Sequence, residues 1–129
     1  MKPSMVERQI GKVIGKHVYA NMEQIDEKYL SNMDMLIKII NSSSKIGNFH
    51  IIEISAKKFI GTHSHEGGVS VIAIIEESHI ALHTWPESNY ATIDIYTCGE
   101  ASNPEAALDY VIQKLKPQNY KIFRADRGN

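Results

Sequence analysis

From 69 to 75 nearly every side chain is apolar, whereas from 90 to 98 apolar and polar positions alternate. The first pattern predicts a strand covered on both faces. In the second, Ile93 and Ile95 share one face, while Thr92, Asp94, Tyr96 and Cys98 share the other, which predicts a core face and a face carrying chemistry. Segments 49–59 and 80–85 are also β-rich, and Pro86-Glu87-Ser88-Asn89 has the composition of a hairpin turn. A short strand over 12–21 carries Val13, Ile14, Val18 and Tyr19, and a last strand spans 120–125, with 126–129 expected to fray.

Two segments have helical spacing. Over 26–40, Leu30, Met33, Leu36, Ile37 and Ile40 recur at three- and four-residue steps, and Asn41-Ser42-Ser43-Ser44 is expected to end that helix. Asn103 reads as an N-cap with Pro104 at the first helical position, followed by a stripe of Ala107, Tyr110, Val111, Lys114 and Leu115, with Pro117 as the stop. The resulting order predicts an α+β fold, a two-layer α/β sandwich with a mainly antiparallel sheet and two helices on one face.

Composition changes this picture little. The 129 residues, 43% hydrophobic and 22% charged, suit one domain over 1–129, and the sheet face left bare by the helices makes a homodimer the expected assembly. A formal charge of -1 without a Lys/Arg cluster argues against nucleic acid and membrane surfaces as partners. No apolar run is long enough to span a bilayer, and Met1-Lys2-Pro3-Ser4 lacks the apolar core of a signal peptide, so a cytoplasmic location is expected. The single cysteine, Cys98, has no internal disulfide partner, in keeping with a reducing compartment.

Candidate chemistry is concentrated between 67 and 99. Gly68-Val69-Ser70, Glu77-Ser78-His79-Ile80, His83-Thr84-Trp85-Pro86-Glu87 and Thr97-Cys98-Gly99 supply two hydroxyls, an imidazole, a carboxylate and a thiol. In this spacing the segment resembles the prokaryotic S-adenosylmethionine decarboxylase proenzymes, a pyruvoyl-dependent superfamily that includes archaeal arginine decarboxylases. Gly15-Lys16-His17-Val18 is similar to the family's first strand.

The resemblance implies that the chain cuts itself between Glu77 and Ser78. Ser78 Oγ would attack the Glu77 carbonyl in an N-to-O acyl shift, and elimination would leave fragments 1–77 and 78–129. Residue 78 would then lose ammonia to become a pyruvoyl group, the implied cofactor. His83 would abstract the Ser78 α-proton, and Ser70 would hydrogen-bond the acyl-shift intermediate. A substrate with a free α-amino group would condense with the ketone as a Schiff base, whose conjugation stabilises the carbanion left by CO2. Cys98 matches the family's proton donor, and a thiol, largely protonated near neutral pH, can protonate carbon. Along an unbroken strand Ser78 and His83 differ in parity, so a bulge or turn near Ser78 is expected.

A rival reading takes His63, His65, His79, His83 and Cys98 as zinc ligands, but leaves Glu77-Ser78, Ser70 and Trp-Pro-Glu without a role; no metal is expected. On the resemblance, Glu87 matches the carboxylate that binds the ribose of S-adenosylmethionine, and Trp85 offers an aromatic face. Ser64 stands where those enzymes carry an adenine-stacking aromatic. S-adenosylmethionine is the first expectation for the substrate. The alternative, arginine or ornithine, needs a carboxylate for its distal cation, with Glu66, Glu76 and Asp94 as candidates. Either product would feed polyamine synthesis.

Overall fold

The alternating segments come together as a six-stranded sheet in a computed structural model that describes residues 3–8 and 15–128. The elements are β1 (Gly15–Glu23), α1 (Glu27–Leu30), α2 (Met33–Ile46), β2 (Ile51–Lys58), β3 (Val69–Ile75), β4 (Ser78–Trp85), β5 (Tyr90–Thr97), α3 (Pro104–Leu115) and β6 (Asn119–Arg127). A single 3-10 turn, Pro86–Ser88, joins β4 to β5. The sheet order is β2-β3-β4-β5-β1-β6, and every neighbouring pair is antiparallel. Helices α2 and α3 pack on each other and on one face, which makes the fold the expected α+β two-layer sandwich.

The core lies between these layers. Val18, Ala20 and Met22 of β1, Ile80 and Leu82 of β4, and Ile93 and Ile95 of β5 meet Leu36 and Ile40 of α2 and Leu108, Val111 and Leu115 of α3. Thus the two-residue period of the strands and the 3.6-residue period of the helices aim at one interface.

Several boundaries differ from the sequence expectation. The helix expected over 26–40 is two: Asn32 accepts the Met35 N–H at 3.1 Å and caps α2, so the chain breaks after α1. Nor does the Asn-Ser run end α2. Ser43 and Ser44 are buried in a helix that continues to Ile46, and Ser43 returns its hydroxyl to the Ile40 carbonyl at 2.9 Å. Packing here overrides the weak helix preference of serine. In α3, Asn103 caps as expected, but Leu108 replaces Lys114 in the buried stripe, and the Lys114 ammonium lies over the Tyr110 ring, 5.5 Å from its centroid.

At the ends of the chain, the beginning of the predicted first strand, including Val13 and Ile14, lies outside the described residues. Asp126 and Arg127 pair with Lys16 and Gly15 and extend β6 past the expected fraying point. Finally, β3 is covered on one face only. Val69, Val71, Ala73 and Ile75 are buried, whereas Ile72 and Ile74 are 43% and 48% exposed on the face the helices do not reach. Among the described residues no helix is long and apolar enough to cross a membrane.

Candidate active site

Strands β3 and β4 form a hairpin in which Ile75 pairs with Ser78, leaving Glu76 and Glu77 as a two-residue loop. Such loops favour turns with positive φ in the loop itself, usually supplied by Gly or Asn, because that twist matches the strands. Neither glutamate takes a positive φ; Ser78 does, at 155°. The irregularity expected near this serine is therefore a tight turn that ends on it. A non-glycine residue held there carries strain on the order of 1–3 kcal/mol.

The Glu77–Ser78 peptide is gripped from both sides. The Cys98 backbone N–H donates to the Glu77 carbonyl at 3.1 Å, and the Cys98 thiol donates to the same oxygen at 2.9 Å. Ser78 Oγ lies 3.9 Å from the Cys98 sulfur. Cys98 is buried at the end of β5, where the chain leaves the sheet. On the other side, the Glu77 carboxylate, itself buried, accepts the His50 backbone N–H at 3.0 Å and the His50 Nδ1–H at 2.7 Å. The hydrogen bond that the ring donates to Glu77, then the negative charge of Glu77, hold the His50 imidazole above its usual range; burial opposes and Glu76 adds to the rise.

At the opposite end of the hairpin Ser70 pairs with His83, and Ser70 Oγ shares a 2.7 Å hydrogen bond with His83 Nδ1. These two residues line a cleft of about 370 Å³ with Trp85, Glu87, Glu66 and Ile60. Its floor depends on Gly67 and Gly68. A Cβ at Gly67 would meet the Phe59 carbonyl at 1.7 Å, and one at Gly68 the Thr84 carbonyl at 2.2 Å, so backbone packing there admits no side chain. Thr84 fixes the strand beneath: its buried hydroxyl donates to the Leu30 carbonyl at 2.6 Å and accepts the Val69 N–H at 2.9 Å. Trp85, 43% exposed, stands between the His83 and Tyr90 rings, and Glu87 is exposed on the 3-10 turn.

The predicted residues thus form two groups. Ser78, Glu77 and Cys98 meet at one end of β4, and Ser70, His83, Trp85 and Glu87 at the other. Five positions separate Ser78 from His83, about 16 Å at the usual rise of a strand. Within one chain they do not touch. Of the three candidate carboxylates, Glu66 lines the cleft, 3.5 Å from Lys58; Asp94 pairs with His17 at 3.0 Å, and Glu76 sits in the hairpin turn.

The zinc arrangement does not form: among the described residues His63, His65, His79, His83 and Cys98 do not gather three ligand atoms. The set that does is His50, Glu76 and Glu77. His65 is instead 2.8 Å from Glu27. His50 has no sequence signature, since its partner lies 27 positions away and only the fold joins them.

Fold and displayed groups together define a small α+β sandwich with a candidate active site at the two ends of β4. The S-adenosylmethionine decarboxylase family model matches residues 16–128, and the chain belongs to that family. It is 44% identical over 117 residues to the arginine decarboxylase proenzyme of Hyperthermus butylicus, covering 91% of this chain and 80% of that one. Its structure is similar to the crystal structure of the adenosylmethionine decarboxylase of Aquifex aeolicus, with a TM-score of 0.82 at 28% identity, covering 92% of this chain and 94% of that one.

Proposed function

We propose that this protein is a self-cleaving proenzyme that converts Ser78 to a pyruvoyl group and then decarboxylates arginine. The observation that carries the first part is the double hydrogen bond from Cys98 to the Glu77 carbonyl beside a strained Ser78. When Ser78 Oγ bonds to the Glu77 carbonyl carbon, negative charge develops on an oxygen that already faces two donors. Removing one such donor from an oxyanion site slows a reaction by roughly 10²–10³-fold. The C–N bond then breaks, an ester links Glu77 to Ser78, and relief of the backbone strain favours the shift. Removal of the Ser78 α-proton expels the Glu77 carboxylate and cuts the chain into 1–77 and 78–129. Water replaces the nitrogen of residue 78, and ammonia leaves. These groups fit the precursor of a pyruvoyl cofactor.

His83 is the proposed base and Ser70 its partner, which requires a second copy. The outer face of β3 exposes Ile72 and Ile74, and a two-fold pairing of such faces in antiparallel sense sets the Ser70–His83 end of one protomer against the Ser78–Cys98 end of the other. The homodimer thereby buries apolar surface and completes two sites.

When present, the pyruvoyl group would supply a ketone that condenses with the substrate amine and so delocalises the electron pair left on the α-carbon as CO2 departs. Around it, the Cys98 thiol delivers a proton to the substrate α-carbon, and Trp85 packs on the aliphatic chain. Glu66 and Glu87 face the distal cation, since a guanidinium suits a carboxylate bidentately. The arginine reading is placed ahead of S-adenosylmethionine, the first sequence expectation. Ser64 offers no aromatic face, the cleft carries two carboxylates, and the 44% identical relative bears the name arginine decarboxylase proenzyme. S-adenosylmethionine is the second reading, favoured by Trp85 with Glu87 on the same cleft.

Intact-mass analysis of purified protein tests the first part: fragments 1–77 and 78–129, the latter without its N-terminal amine, are expected, and an uncut native chain refutes it. CO2 release from arginine, ornithine and S-adenosylmethionine, assayed separately, tests the second.

A further inference from the structure

We infer that His50 is a positioning residue for chain cleavage: from just before β2 its ring holds the Glu77 carboxylate and thereby fixes the scissile carbonyl against Cys98. This inference rests on the proposed self-cleavage between Glu77 and Ser78. The turn makes three hydrogen bonds with His50, and Glu76 Oε2 lies a further 3.8 Å from its Nδ1. The Glu76 N–H donates to the His50 carbonyl at 2.8 Å, the His50 N–H donates to Glu77 Oε1 at 3.0 Å, and the ring Nδ1–H donates to Glu77 Oε2 at 2.7 Å.

The arrangement has a mechanical reason. A two-residue loop without positive φ is a poor match to strand twist, and Ser78 is strained by it. Left to itself, the loop would relax by rotating the Glu77–Ser78 peptide away from the Cys98 donors. The Glu77 side chain prevents that rotation because it is anchored outside the hairpin, at the residue that leads into β2. Its side chain is only 7% exposed, so the carboxylate depends on protein donors and cannot readily exchange them for water. The two bonds made by the residue-50 backbone survive any substitution there except proline, whereas the ring bond does not. His50 is thus the adjustable part of the clamp, and its side chain, 64% exposed, can be replaced without opening the core.

The experiment follows cleavage of the full chain made by cell-free translation, labelled, chased after synthesis is stopped and resolved on a denaturing gel. His50→Ala is expected to slow the appearance of 1–77 and 78–129 about tenfold, the effect of one charge-assisted hydrogen bond. His50→Asn, whose side-chain amide can place an N–H where the imidazole Nδ1–H stands, is expected to restore the rate to within about threefold of wild type. Combining His50→Ala with Glu77→Gln should slow cleavage little more than Glu77→Gln alone, because both remove one contact. Wild-type cleavage with an equal rate in His50→Ala overturns the inference and leaves the self-cleavage reading intact. So does a His50→Asn variant as slow as His50→Ala, since lost packing rather than a lost donor would then be responsible. A wild-type chain that stays whole rejects the self-cleavage reading itself.

Discussion

If the site is shared between two copies, two inactive variants should rescue each other. Ser78→Ala removes the nucleophile and His83→Ala the proposed base, and each variant alone is expected to remain a single chain. In a mixed dimer, the intact Ser78 of the His83→Ala chain faces the intact His83 of the Ser78→Ala chain, so one of the two sites is whole. With equal expression and random pairing about half of the dimers are mixed. About half of the His83→Ala chains should therefore be cut, and none of the Ser78→Ala chains. The reasoning rests on distance: about 16 Å along β4 is far beyond the roughly 3 Å over which a base takes a proton. The assay is co-expression with distinguishable tags, followed by denaturing gel and intact mass. An absence of cutting in mixtures shown to contain mixed dimers refutes the shared site. Wild-type cleavage by His83→Ala alone removes this histidine from the mechanism.

Three other outcomes follow from the geometry. Ser78→Gly and Ser78→Ala should both stay whole, but the glycine variant should be more stable by about 1 kcal/mol in denaturant titrations, because only glycine accepts φ 155° without strain. In the uncut Ser78→Ala chain, the raised pKa of His50 means that its imidazolium–Glu77 contribution is fully present below 6.5 and is lost as pH rises through the folded value. Melting temperature should fall over that window relative to Ser78→Ala/His50→Asn, by a small amount because the ring is exposed. Glu66→Gln should raise KM for arginine about tenfold with a smaller change in kcat, read from CO2 release; an unchanged KM removes Glu66 from substrate binding.

Much of this molecule is legible in its sequence where burial follows a simple period. Ile93 and Ile95 against Thr92, Asp94 and Tyr96 give the strand, its faces and its place in the core from alternation alone. Ser43 and Ser44 misled because their helical state depends on burial, which local preference does not encode. Ile72 and Ile74 read as covered, yet the fold of one chain leaves them bare, because an apolar run does not say which layer, if any, packs on each of its faces. The types of chemical group in the site are written in the segment 70–98, and so is the five-residue spacing that keeps Ser78 and His83 apart. What that spacing means emerges only once both residues lie on one straight strand. His50 stayed hidden because its contact with Glu77 is made by sheet order, not by sequence proximity.

The strand order carries one more consequence. Fragment 1–77 would contribute β1, β2 and β3, and fragment 78–129 would contribute β4, β5 and β6; yet in the sheet β1 is threaded between β5 and β6. The two polypeptides would be dovetailed. Parting them would tear open the β3–β4, β5–β1 and β1–β6 seams together, so the proposed cut would turn one chain into a heterodimer that cannot come apart without unfolding.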